Sequence, residues 1–359
     1  MHAILRRVAM GAMALSLTAP LAACGNDDDG AAVDNRSIGL LLPENNASRY
    51  EEFDRRIISS RVASLCLECE LDYRNAKSDV ATQKKQFDAL VSKGVRVIIL
   101  DPVDAAASRS WVDKAAKKGV KVVAYDRLAE GDVAAYVSYD NEEIGRLQAK
   151  GLAAVLGSRA ATSDVVMMNG SPSDPNAPSF KKGAHEILDR KVRKIIYEKD
   201  IQDWSAAEAK KKMTEVIDDL GPAGFDAVYS ANDGMAGGIA EALESAGIEN
   251  VPLGGQDAEL PALRRLVSGS QTFTIYKEVR PEAQTAAEIA VRLLQGKSIK
   301  SLTPTTADSK SKSGIPAKLF EAQIVTRKNL EDTVVRDGVV RTDWLCKDLT
   351  AACKSLGLE

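Results

Sequence analysis

From Ser37 onward, short apolar runs alternate with stretches of helical periodicity. Runs at Ser37–Leu42, Glu70–Arg74, Arg96–Leu100, Lys121–Tyr125 and Ala134–Ser138 read as strands. Asp164–Met168, Lys194–Glu198, Ala227–Ser230, Pro252–Gly255 and Thr272–Tyr276 continue the series. Val95-Arg96-Val97-Ile98-Ile99-Leu100 is nearly continuous in apolar residues, the mark of a strand buried on both faces. Between the strands lie amphipathic helices. Val80 to Lys93 sets Val80, Phe87, Leu90 and Val91 near one face, with Gln83 as its polar member. Gly94, Gly119 and Gly247 follow helical stretches as C-caps do. Repeated β-α-β order predicts an α/β protein with parallel sheets flanked by helices, as one large sheet or two smaller ones.

In open α/β sheets ligands bind beyond the carboxyl ends of the strands. Polar groups gather there repeatedly: Asp126-Arg127, Asp140-Asn141, Asn232-Asp233, Gln256-Asp257 and Lys277. Asp233 is expected to cap the helix that follows it, leaving Asn232 for the cleft. The chain's 359 residues, 45% of them hydrophobic, exclude a mainly disordered protein and suggest two domains. A formal charge of −3 leaves no basic field for a phosphate backbone, so no nucleic-acid partner is expected. With only His2 and His185, neither a histidine metal site nor a Ser-His-Asp triad has material, and no metal is expected. No phosphate-binding glycine loop follows the first strand, so no nucleotide cofactor is implied. What remains is carboxylate, guanidinium, amide and ammonium groups with Tyr50 and Trp204 nearby, a set that suits a polyol. Carboxylates accept from hydroxyls, guanidinium groups donate, amides do both, and aromatic rings cover the aliphatic face. Asp126 and Asp257 as an acid and base pair of a hydrolase form the competing, enzymatic reading.

Arg6 and Arg7 precede an uncharged, mostly apolar stretch, Val8 to Ala19, too short for a bilayer span. Leu21-Ala22-Ala23-Cys24 follows and resembles a bacterial lipobox. The resemblance implies a signal peptide at 1–23, lipidation of Cys24, and a polar tether at 24–35; an ordinary signal with a chance cysteine is the alternative. Export agrees with two local cysteine pairs, Cys66/Cys69 and Cys346/Cys353, read as structural disulfides. Cys66-Leu67-Glu68-Cys69 closes a helical stretch rather than opening one, which disfavours a redox centre. A zinc site would require the two distant pairs to converge.

Several blocks stand together in a recognisable order: Ile38-Gly39-Leu40-Leu41-Leu42, Tyr125-Asp126-Arg127, Asp140-Asn141-Glu142, Asn169-Gly170-Ser171-Pro172-Ser173-Asp174, Asn232-Asp233, Gly255-Gln256-Asp257-Ala258 and Tyr276-Lys277. From about Arg36 to Val339 the chain resembles the bacterial D-xylose-binding proteins, substrate-binding components of ABC sugar importers among the type I periplasmic binding proteins. The resemblance implies no catalysis and two similar lobes, each a parallel sheet flanked by helices, at 36–136 plus 277–316 and 141–272 plus 324–359. Three hinge crossovers would join them near Ala134–Asp140, Thr272–Lys277 and Ala317–Ile324. It assigns sugar contacts to Arg49, Asp126, Arg127, Asn141, Asn232, Asp257 and Lys277, with Trp204 stacking. Tyr50 stands where the family's typical xylose binder has tryptophan. The Cys66/Cys69 pair and the tail after Arg341 also depart from the usual pattern. A monosaccharide ligand, an ABC permease, a membrane contact through lipid alone and a monomeric state are the implied partners. A sugar sensor feeding a receptor or regulator is the alternative.

The lipobox reading predicts that Cys24→Ala moves the protein from the membrane fraction to the soluble fraction in its native host. Wild-type protein recovered unmodified and wholly soluble would overturn it.

Overall fold

A computed structural model describes residues 36–358; the expected signal at 1–23 and tether at 24–35, including Cys24, lie outside the described residues. Five strands come first along the chain: β1 (Ser37–Leu42), β2 (Glu70–Asn75), β3 (Val97–Leu100), β4 (Lys121–Tyr125) and β5 (Ala135–Tyr139). Helices α1 (Arg55–Leu65), α2 (Val80–Ser92) and α3 (Ala105–Lys117) connect the first four. The strands pair in parallel in the order β2-β1-β3-β4-β5. Their side chains alternate between two buried faces. Ile38, Leu40, Leu42, Val97 and Ile99 pack on one side, while Leu41, Ile98 and Leu100 pack on the other.

The second lobe follows: α4 (Asn141–Leu156), β6 (Asp164–Asn169), α5 (Asn176–Lys191), β7 (Lys194–Asp200), α6 (Ala206–Leu220), β8 (Ala227–Ser230), α7 (Asp233–Ser245), α8 (Leu260–Ser268) and β9 (Phe273–Lys277). Its strands β7-β6-β8 are parallel. The expected strand Pro252–Gly255 makes only one bridge, Val228 to Leu253. Its backbone is nevertheless bonded on both sides, to Val228 and to Thr272 and Ile275. The second lobe thus repeats the spatial order of the first.

The chain then returns. Helix α9 (Val279–Leu294) packs on the first sheet through Ala283, Ala286, Ala287 and Ala290. Strands β10 (Thr305–Ala307) and β11 (Ile315–Phe320) extend that sheet beyond β5, and β12 (Ala322–Thr326) pairs with β9 in the other lobe. Two of these pairings, β10–β11 and β12–β9, are antiparallel, against the expectation of wholly parallel sheets. They escape a reading by hydrophobicity because their burial is partial and their sequence is mixed. The chain crosses between lobes after Tyr139, after Lys277 and at Glu321, a single residue between β11 and β12.

Disulfides join Cys66 to Cys69 behind α1, and Cys346 to Cys353 in the tail. The tail's Leu345 and Cys353 pack with Leu263, Leu266 and Val267 of α8.

Helices α4 and α5 meet backbone to backbone. A Cβ built on Gly145 would lie 2.0 Å from the Phe180 carbonyl oxygen, and one on Gly183 would lie 2.0 Å from that of Glu142. Neither contact leaves room for a methyl group, and the opposing atoms are main chain rather than mobile side-chain ends. Gly183→Ala should therefore destabilise the ligand-free protein by about 3 kcal/mol, the upper part of the usual overpacking range. Urea unfolding measures it; a loss within experimental error would show that the helices can part at no cost.

Candidate functional site

The carboxyl ends of both sheets face one cavity. Glu44, Arg49 and Tyr50 follow β1, and Asp126 and Arg127 follow β4. From the other lobe come Asp174 and Asn176 after β6, Phe180 on α5 and Trp204 after β7. Asn232 follows β8, Gln256 and Asp257 follow the bridged segment, and Lys277 ends β9.

Arg49 is buried and held on two edges. Its Nε and Nη2 donate to Asp54 at 3.1 and 2.8 Å, and Nη2 donates to Glu282 at 2.7 Å. Its Nη1 has no hydrogen-bond partner among the described residues and stands 3.7 Å from Asp126. A buried donor without a partner is costly unless something accepts from it. The π-helical turn Tyr50–Asp54 brings both Tyr50 and Asp54 inward. Tyr50 donates its hydroxyl to Asp126 at 2.9 Å.

Arg127 binds across the lobes. Its guanidinium lies 2.8 Å from Asp174, with Asp101 at 3.6 Å and Glu44 at 3.8 Å. Asp174 also accepts from the Trp204 indole at 3.1 Å, which fixes the ring that Phe180 meets edge-on. A Cβ on Gly170 would meet that indole at 2.0 Å, so glycine makes the room for it. Lys277 pairs with Asp257 at 2.8 Å. The Gln256 amide donates to the Ala231 carbonyl at 2.7 Å, and its oxygen has no partner among the described residues.

Asp126, Trp204 and Asp257 carry positive φ angles of 55°, 55° and 103°. Such backbone is uncommon for non-glycine residues and persists where surrounding structure enforces it. Here it turns three side chains toward one cavity.

Eight of the nine side chains expected at the site line the cavity: Arg49, Tyr50, Asp126, Arg127, Trp204, Asn232, Asp257 and Lys277. Asn141 does not. It is the first residue of α4 and donates to the Asn176 side-chain oxygen at 2.8 Å, so it stands behind Asn176, which lines the cavity and donates to the Asp126 backbone carbonyl at 3.2 Å. The capping roles at α7 also differ from expectation. Asn232 is the cap, accepting from the Met235 amide at 2.9 Å, while Asp233 is buried beneath it and accepts from Gln271 and Thr274. Glu44, Asp174, Asn176 and Phe180 had not been singled out, and Gln256 had been marked only as one of the polar pair Gln256-Asp257. Asp174 and Gln256 sat inside recognised blocks, and Glu44 stands just beyond a buried strand, after Pro43.

Burial raises the Asp126 carboxyl, but Arg49, Lys277 and Arg127 outweigh it and hold the group below its usual range. Burial pushes Asp101 well above that range despite Arg127, and raises Asp174 against the same guanidinium. The cavity therefore offers a firm anion at Asp126, cationic donors, amides and two large rings. That set bonds neutral hydroxyls in several directions at once.

Residues 38–298 match the periplasmic binding protein domain family. The chain is 33% identical to a D-xylose-binding periplasmic protein of Haemophilus influenzae over 84% of its own length and 89% of the relative's. It is equally similar to one from Escherichia coli, over 84% and 90%. Among solved structures, a Clostridium phytofermentans ABC transporter solute-binding protein with bound β-D-glucose superposes with a TM-score of 0.77 at 23% identity. The match covers 86% of this chain and 99% of that one. Fold and site thus define a type I periplasmic binding protein. Within that class the chain belongs to the family of the D-xylose-binding periplasmic proteins.

Three buried carboxyls make stability depend on pH. Burial raises Asp233 to about 7, and Glu259 and Glu282 to about 8. Each stays protonated in the folded chain at pH values where the unfolded chain has ionised it. The folded state then binds more protons, so stability falls as pH rises from the ordinary carboxylate range toward 8. The ligand-free melting temperature should be lower at about pH 8.5 than at about pH 6, and Glu282→Gln should flatten the difference. A melting temperature that climbs over this interval would contradict the assignment.

Proposed function

We propose that the protein is the substrate-binding component of an ABC sugar importer, taking D-xylose or a closely related aldose between its lobes and presenting it to a membrane permease. The observation that carries this reading is the cavity itself. Asp126, Asp257, Arg49, Lys277, Asn232 and Gln256 converge on it from both sheets beside the rings of Trp204 and Tyr50. The D-xylose relatives support the choice of sugar. Tyr50 bonds Asp126 and lies beneath the edges of both Arg49 and Arg127, so it helps set which hydroxyl reaches that carboxylate. Binding involves no bond-making chemistry, and ligand draws the lobes into the closed arrangement. In this reading the lobes comprise 36–136 plus 277–316 and 141–272 plus 324–359. The signal at 1–23 directs export, and lipid on Cys24 keeps a monomer beside the membrane through the tether 24–35. No helix among the described residues is long and apolar enough to cross a membrane.

A thermal-shift panel of pentoses and hexoses tests the assignment. D-xylose at about 100 times its Kd should add about 2.7 kcal/mol to stability. A transition moved by an amino acid or a nucleoside, and by no monosaccharide, would overturn it.

A further inference from the structure

Among the described residues, two polar contacts join the lobes away from both the cavity and the hinge, and both start from the loop between β1 and the turn at Tyr50. The Asn46 side-chain amide donates to the Asp203 carbonyl at 3.0 Å. Ser48 donates its backbone N–H and its hydroxyl to one oxygen of Glu259, at 3.0 and 3.3 Å. Neither Asn46, Ser48, Asp203 nor Glu259 lines the cavity.

What these contacts hold matters more than their number. The Ser48 carbonyl accepts from Glu52, so its amide is one of the unsatisfied donors at the start of the helical run that continues into α1. The next two residues of that run are Arg49 and Tyr50. A carboxyl oxygen at such an end accepts from that donor. Here the carboxyl comes from the other lobe. Glu259 is itself fixed, since its backbone N–H donates to buried Asp233 at 3.1 Å. On the opposite rim, Asp203 belongs with Trp204 to the positive-φ turn, and its amide is held by the Ser171 hydroxyl at 3.1 Å. One first-lobe loop thus grips the second-lobe turns on both sides of the cavity.

We infer that Glu259 is a positioning residue for closure: from the second lobe it caps the turn carrying Arg49 and Tyr50, and with the Asn46–Asp203 contact it latches the closed state without touching the ligand. The inference rests on the sugar-binding reading only for its choice of ligand. A latch that stabilises the closed state alone raises the population of the binding-competent form, so it scales every ligand's affinity by one factor. A residue that touches ligand instead changes the ranking among ligands.

The test is calorimetric titration of the full mature chain with D-xylose and the other sugars that bind it, alongside the distance between spin labels placed one on each lobe. Glu259→Ala should weaken each sugar by about tenfold, the loss of the two hydrogen bonds from Ser48. The order of preference should stay unchanged. Glu259→Gln keeps an acceptor oxygen and should recover part of the loss. Asn46→Ala removes an exposed side chain, leaves the core intact, and should show a smaller loss that is likewise uniform across sugars. Label distances in the sugar-bound Glu259→Ala protein should include an open population that the wild type lacks. Unchanged affinity in both alanine variants, or an altered ranking of sugars, would overturn the latch. If the wild type binds no sugar, the reading of its ligand fails. The latch is then decided by ligand-free label distances, where an unaltered distribution in Glu259→Ala would overturn it and a more open one would support it.

Discussion

Arg127 and Asp174 meet across the two lobes, and the rest of the site is arranged around that encounter. Both are buried, and a lone guanidinium or carboxylate at that depth would be strongly destabilising. Each therefore brings its own supporters. Arg127 has Asp101 and Glu44 behind it, and Asp174 has the Trp204 indole N–H. A pair drawn from two lobes is satisfied only when the lobes are together. The charged pair thus holds the two lobes together, while the cavity-facing edges of Asp126 and Arg49 remain available. Arg49 follows the same logic within one lobe, where Asp54 and Glu282 hold it and one nitrogen is left over.

The placement of these groups traces to main-chain geometry. The glycine contacts between α4 and α5 hold the two helices at a fixed separation, and the first residues of those helices are Asn141 and Asn176. Their side chains bond one another, and Asn176 reaches the Asp126 carbonyl in the other lobe. A packing choice in the middle of a helix pair is thereby felt at a hinge and at a binding group.

Much of the architecture was legible in the sequence because strands buried on both faces must be apolar at nearly every position. β1, β3, β4 and β6 announce themselves in this way, and the polar residue that ends each run then marks the carboxyl edge of a sheet. That signal found Asp126, Arg127, Asp257 and Lys277. It misplaced Asn141 because a polar residue after a strand has a second use. The helix that follows needs a cap, and Asp79, Asp104, Asp140 and Asn232 all serve as one. Spacing alone does not separate a cap from a ligand group, and Asn232 is both a cap and a lining residue. Strands β10 to β12 were not read as strands because their half-exposed, mixed sequences carry no long apolar run. Asn176 was missed because it opens α5 after Pro175 rather than following a strand.

The direction of β1 has a practical consequence. Its last residue leads into the loop above the cavity, and its first residue lies at the far edge of the sheet, about 20 Å away for a six-residue strand. The described chain therefore begins on the side of the first sheet away from the cavity. Coupling the chain to an electrode, a bead or a fluorescent reporter through Arg36, just before β1, leaves the cavity unobstructed. Copies attached in this way would sample dissolved ligand as readily as molecules in free solution, which makes the amino-terminal side the natural point of immobilisation for a sensing device.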